Sequence, residues 1–175
     1  MMKWRAFSVL MASASAAIAL PCVALSLAAV LGWKVYINTT PSMPEGLYLV
    51  HTRGYVLRPH EAIAFMPPRR IRALVYGLRW LAPGAPLLKH VGALPGATYC
   101  ALHGALYAPS WPALRIAKTD GHGHALPAVH GCHIVPPNAF LPLSDLIPNS
   151  FDGRYFGPVS DARIIGTARA LIVVK

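Results

Sequence analysis

Two side chains of this 175-residue chain could do chemistry together. One is a serine set between prolines in "NTTPSMPEGLYLV", residues 38 to 50, and the other a lysine inside the apolar stretch "PLLKHVGAL". Pro41 and Pro44 fix φ on both sides of Ser42, and Gly46 permits the turn into "LYLV". A serine of this kind becomes a nucleophile only when a base stands within hydrogen-bond reach on a rigid backbone. Of the five lysines, Lys3 and Lys34 flank a long apolar run, Lys118 adjoins a glycine- and histidine-rich segment and Lys175 is terminal, which leaves Lys89 as the one inside an apolar strand. Period-two alternation puts Leu87, Lys89 and Val91 on one face. If that face is inward, burial disfavours the ammonium and lowers the lysine pKa, which makes a general base near neutral pH. The competing reading is a snorkelling lysine with its amine in water, and a serine between prolines is ordinarily a turn residue.

The elements that must position this pair begin with a membrane-length segment. "AFSVLMASASAAIALPCVALSLAAVLGW", residues 6 to 33, carries no charge, follows Lys3 and Arg5, and is long enough to cross a hydrocarbon core of about 30 Å as a helix. The basic tip would remain in the cytoplasm and the rest would be exported. Residues 1–36 are therefore expected to be a cytoplasmic tip and uncleaved anchor, and residues 37–175 an exported domain. A cleaved signal peptide is the rival, although its apolar core is normally shorter. Cys22 lacks a convincing lipoprotein box and reads as a lipid-facing or packing cysteine. Beyond the anchor, prolines and glycines divide the chain into short apolar runs: "GLYLVHT", "AIAFMP", "PLLKHVGAL", "TYCALHG", "HIVPP", "AFLPLS" and "RIIGTARALIVV". These are strands separated by turns, so the expected fold class is mainly β, a barrel or folded sheet.

Cys100 and Cys132 both fall in the exported part, where pairing into a structural disulfide is expected. The stretch "DGHGHALPAVHGCH" gathers His122, His124, His130, Cys132 and His133, but Gly and Pro fill its intervals and no CxxC or HExxH spacing occurs. A solvated loop is favoured there over a zinc site. Formal net charge is +10. Without a helix-turn-helix, zinc-finger or RNP pattern, and with an anchor ahead of the domain, attraction to anionic lipid headgroups is the better account than nucleic-acid binding. "RRIRALVYGLRWLAPG", residues 69 to 84, interleaves four arginines with large apolar residues; it reads either as an interfacial helix or loop or as an amphipathic core-packing segment.

Taken together, these stretches resemble the signal peptidase I superfamily. "SMPEGLY" matches its nucleophile box, "LLKHVGALPG" is similar to its lysine box, and "NSFDGRYFGPVSDARIIGTARAL" to its C-terminal box, in the same order. The resemblance is greatest to the TraF branch, conjugative-transfer peptidases that mature the pilin of mating systems. It rests on the "T-x-S-x-P-x-G-L-Y" start, "SFDxRYFGPV", the proline-rich chain and the small size. The Gly-Asp-Asn-Arg motif of housekeeping enzymes is absent, its place taken by "LSDLIPNS".

The resemblance implies a signal-peptidase-like β domain behind one transmembrane helix, in the bacterial inner membrane with the catalytic part in the periplasm. It implies Ser42 as nucleophile, Lys89 as general base, Ser150 as the serine that hydrogen-bonds and orients the lysine, Asp152 as the family acid and Arg154 as its partner. Gly153 stands where a serine is usual. A lone carboxylate beside Lys89 would raise the lysine pKa, so an Asp152–Arg154 ion pair would act as scaffolding. The Ser42 N–H and the Thr40 hydroxyl are the implied oxyanion donors. No cofactor or metal is implied. The partners would be a pilin precursor or another exported preprotein, the lipid surface and conjugative secretion machinery. A general type I leader peptidase and an inactive component of the mating-pair apparatus are the alternatives.

Overall fold

The computed structural model describes Val23 and residues 26–174. The chain divides into two units, residues 1–34 and 35–175. Most of the apolar run lies outside the described residues; within it residues 26–30 are helical, and among the described residues no helix is long and apolar enough to cross a membrane.

The fold is mainly β. A seven-stranded sheet has the order β1 (Trp33–Asn38), β2 (Gly46–His51), β11 (Ile164–Val173), β3 (Ala62–Phe65), β4 (Leu87–Ala93), β9 (Ala139–Leu143) and β10 (Val159–Ser160). A four-stranded sheet has the order β7 (Leu114–Arg115), β6 (Ala105–Tyr107), β5 (Thr98–Leu102) and β8 (Gly131–Ile134). From β2 to β10 and throughout the small sheet the pairs are antiparallel. Each of the seven apolar runs forms a strand. β6, β7 and β10 are two or three residues long, too short to carry a period-two signal. β1 starts at Trp33, inside the stretch read as the anchor's end. The β5–β6 hairpin turns on His103 and Gly104, both at positive φ as a two-residue type I′ turn requires.

β4 is the strand that matters most for the site. It lies between β3 and β9, and six of its seven residues are buried. Val91 and Leu87 join Ile63, Phe65 and Phe140 in the main core, while Leu88 packs with Met43, Tyr48, Val50 and Ala64. With apolar partners on both faces, a one-residue slip would exchange Leu88 for Lys89 and expose or strand every side chain of the strand, so the register is firmly set. At Gly92 an added Cβ would stand 2.4 Å from the Leu143 side chain, and the β4–β9 register shifts there as a bulge. Gly46 has φ +144°, and a Cβ there would stand 2.0 Å from the Ile172 carbonyl oxygen. Close approach of β11, as much as turning, requires glycine at that position.

Residues 69–84, open between two readings from sequence, form a helix α1 (Arg69–Gly77) that packs into the core through Ile71 and Val75. Those two lie one turn apart and share a face. Arg72 donates to the Pro67 carbonyl at 3.0 Å, and Arg70 to those of Phe156 and Pro158. In the small sheet Cys100 lies directly opposite Cys132 and the two form a disulfide. The bond closes a 32-residue separation. Loss of that constraint in a Cys100→Ser, Cys132→Ser double variant is expected to lower stability by roughly 3–4 kcal/mol, read from urea unfolding. An unchanged midpoint would mean that side-chain packing alone holds this sheet.

Candidate active site

Ser42 lies in the turn between β1 and β2, and that turn is fixed by Asn38 at the end of β1. The Asn38 amide nitrogen donates to the carbonyls of Thr40, Met43 and Pro44 at 2.9, 3.0 and 3.0 Å. Its Oδ1 accepts from the Thr40 N–H at 3.2 Å and from the Thr40 hydroxyl at 2.9 Å. Tyr48 Oη, from β2, adds a 2.7 Å bond to the Pro44 carbonyl. One buried amide thus organises the loop, with both prolines limiting φ around it. Its signal in the sequence was slight, an Asn at the edge of a turn-rich stretch, and it was not singled out.

Lys89 is 2% exposed, and its Nζ donates to Ser42 Oγ. Snorkelling is therefore overturned: β4 is an interior strand and the amine ends on Ser42 rather than in solvent. Burial drives the Lys89 pKa from 10.5 down to about 8, opposed by the Asp152 carboxylate and assisted by the Arg154 guanidinium. Among the described residues no carboxylate forms an ion pair with it. The nearest thing to a second partner for Ser42 Oγ is the Thr40 hydroxyl, 3.5 Å away, whose proton is already directed at Asn38.

Asp152 and Arg154 form a fully buried pair at the start of the short helix α2 (Gly153–Phe156). Two parallel bonds, Nε to Oδ1 and Nη2 to Oδ2, are both 2.8 Å, the bidentate geometry that guanidinium favours. Arg154 Nη1 also donates to the carbonyls of Arg115 and Pro148, and Nη2 to those of Ser144 and Ser150, at 2.8 to 3.2 Å. Gly153 between them has no space for a side chain, since a Cβ would stand 2.7 Å from the Pro142 carbonyl oxygen. Ser150 departs from expectation. Its Oγ is buried without a hydrogen-bond partner and makes no bond to Lys89, whose Nζ is turned to Ser42 instead. Ser144, a further residue whose role the sequence does not signal, is wholly buried; its N–H donates to Asp152 and its carbonyl accepts from Arg154.

A cavity of about 410 Å³ opens over Ser42, Lys89 and Ser150. Trp80 and Leu81, just beyond α1, line it with apolar surface, and the polar turn at residues 120–122 lines it as well. That turn is organised rather than loose: Asp120 accepts from the His122 and His124 N–H groups at 2.9 and 2.8 Å and pairs with His124 Nδ1 at 2.8 Å. Among the described residues no group of three His, Cys, Asp or Glu side chains is placed to hold a metal ion.

A hydroxyl bonded to a desolvated amine inside an apolar-walled cleft is the arrangement of a serine nucleophile with a lysine base. The sequence profile of the family described as signal peptidase, peptidase S26, matches residues 6–173. The chain belongs to that family. As a member, it is a signal-peptidase-like serine peptidase, and it is related to conjugal transfer proteins. It is 34% identical over 154 residues to the conjugal transfer protein TraF of Agrobacterium tumefaciens strain 15955, covering 83% of this chain and 86% of that protein. It is 29% identical over 150 residues to the plasmid transfer protein TraF of Escherichia coli, covering 78% and 81%. Among solved structures, a signal peptidase I from Enterococcus faecalis V583 is similar at 23% identity and a TM-score of 0.39, over 65% of this chain and 97% of that one.

Two measurements follow from the buried charges. In the folded peptidase Lys89 resists protonation, so a stability penalty is present in full below about pH 8 and lifts as pH rises toward 10.5. The gap corresponds to roughly 3 kcal/mol, of which the bond to Ser42 returns about 1. Lys89→Met is therefore expected to raise thermal stability at pH 7 and to lose that advantage by pH 10; a less stable variant at pH 7 would contradict the desolvated amine. Arg154→Ala is expected to cost about 3–5 kcal/mol in denaturant unfolding, because Asp152 is then buried unpaired. A cost near that of an exposed arginine would show the pair to be solvated.

Proposed function

We propose that this chain is a membrane-anchored Ser/Lys endopeptidase that matures a conjugative pilin precursor at the periplasmic face of the inner membrane, by an acyl-enzyme that the pilin's own N-terminal amine resolves. The single observation that carries the reading is the hydrogen bond from buried Lys89 to Ser42 Oγ in a cleft large enough for a peptide. Relationship to proteins named for conjugal and plasmid transfer supports the biological setting. On this reading residues 1–36 hold the anchor and residues 37–175 the peptidase domain.

Neutral Lys89 removes the Ser42 hydroxyl proton as Oγ attacks the scissile carbonyl. Charge then develops on the carbonyl oxygen, where the Ser42 N–H is one donor; the Thr40 hydroxyl is a second once it turns from Asn38. Collapse breaks the peptide C–N bond while the Lys89 ammonium returns a proton to the departing amine, leaving an ester on Ser42. Lys89, neutral again, takes a proton from the incoming pilin amine as it attacks the ester and returns that proton to Ser42 Oγ as the ester C–O bond breaks, which closes the ring and restores the free serine. One peptide bond replaces another, so no external energy source is consumed. Asp152 and Arg154 take no proton in this sequence; they hold the loop that faces the nucleophile.

With a lysine pKa of about 8, roughly a tenth of the protein carries a neutral base at pH 7. The expected pH profile of kcat/KM therefore rises about tenfold per unit on its acid side and levels near pH 8. The deciving experiment pairs that profile with intact mass spectrometry of the cognate pilin, co-produced with the wild-type chain or with Ser42→Ala. A product one water lighter than the trimmed linear chain, absent with Ser42→Ala, is the expected result. A linear product that depends on Ser42 would indicate a leader peptidase, and identical pilin from both would remove this substrate from the account.

A further inference from the structure

Between the Asp152–Arg154 pair and the nucleophile lies one side chain whose contacts run in both directions. Ser144 follows β9, is fully buried, and donates its N–H to Asp152 Oδ2 at 3.1 Å. Its carbonyl accepts from Arg154 Nη2 at 3.2 Å. Both backbone groups of the residue are thus fastened to the ion pair. Its hydroxyl points the other way and donates to the backbone carbonyl of Ser42, 102 residues distant in the chain.

The division of labour around the nucleophile turn gives that bond its meaning. Asn38 holds the carbonyls of Thr40, Met43 and Pro44 but leaves that of Ser42, the residue whose backbone angle decides where Oγ points. Ser144 takes this remaining carbonyl from the opposite side. A buried carbonyl with no donor would turn to find one, and its peptide plane would carry the nucleophile with it. The Asp152–Arg154 pair itself makes no hydrogen bond to Ser42 or to Lys89, so Ser144 is its direct link to the dyad.

We infer that Ser144 is a positioning residue of this peptidase: its hydroxyl transmits the rigidity of the Asp152–Arg154 pair to the Ser42 backbone and fixes the angle from which Oγ attacks. The inference rests on the Ser42 and Lys89 mechanism above. Nucleophile placement acts on the chemical step, so its loss lowers kcat and leaves substrate binding nearly untouched. Because the hydroxyl does not touch Lys89, the acidity of the amine stays where burial sets it.

The test is steady-state processing of the cognate pilin precursor by the full chain in detergent, across a range of pH, for wild type, Ser42→Ala, Ser144→Ala and Ser144→Cys. Ser144→Ala is expected to lower kcat about 10- to 100-fold with KM within about twofold and the acid-side midpoint unmoved. Ser144→Cys fills the same space with a weak donor, so it should fold as wild type does and give an intermediate kcat; it carries the test if the alanine variant does not fold. Wild-type kcat in either variant would overturn the inference. So would a lowered kcat accompanied by a midpoint moving up toward an ordinary lysine, which would assign Ser144 to keeping water from Lys89 rather than to aiming Ser42. Equal processing by wild type and Ser42→Ala would instead defeat the peptidase mechanism, and with it any role for Ser144.

Discussion

Desolvating the Lys89 ammonium is unfavourable, and much of the arrangement around it can be understood as what makes that desolvation hold. Strand β4 is covered on both faces, by Ile63, Phe65 and Phe140 on one side and by Met43, Tyr48 and Val50 on the other. Each such side chain contributes roughly 1.5–3 kcal/mol on burial, enough together to hold one disfavoured amine in place. The Pro41–Pro44 turn then brings a hydroxyl, not a carboxylate, to Nζ. A carboxylate in that position would restore the charged form and cancel the effect that burial produces.

The site therefore needs a rigid acid and arginine nearby without letting the acid reach the lysine. Asp152 satisfies this because both of its oxygens are committed to Arg154 and to backbone N–H groups. Its residual pull on Lys89 is upward, that of Arg154 downward, and burial exceeds the two. A buried ion pair contributes little net stability by itself. Here it gathers the carbonyls of Arg115, Ser144, Pro148 and Ser150 around one guanidinium, and so shapes the loop that forms the floor of the cleft. Ser144 and Asn38 then hold the Ser42 turn from two sides, one anchored in that loop and one in β1.

The parts of this site that were legible in the sequence are those whose chemistry is stated by local pattern. A serine between prolines and a lysine in an alternating apolar run each permit two readings, and their order within three boxes drew them together. The structure places them in contact. Cys100 and Cys132 were legible by their number and their place beyond the long apolar run, and the short apolar runs by their punctuation. Asn38 and Ser144 were not, because a lone Asn or Ser at a strand end is indistinguishable from a turn former until the chain is folded; the Ser144 to Ser42 bond spans 102 residues. Ser150 shows the limit of carrying a role across by motif. Its carbonyl accepts from Arg154, while its hydroxyl, expected to orient Lys89, is buried without a partner. The cleft walls, Trp80 with Leu81 and the turn at 120–122, come from segments whose joint purpose no single window of sequence expresses.

The protonation state of one amine is the claim on which the account turns. With five lysines in the chain, 13C labelling of the lysine ε carbons gives a small set of signals, and Lys89→Met identifies the one in question. Following that resonance by NMR as a function of pH is the most direct measurement. A midpoint of about 8, well separated from the other lysines, is the result the structure predicts. A midpoint at the ordinary lysine value of about 10.4 would show a hydrated, charged side chain and contradict the assignment of Lys89 as a base.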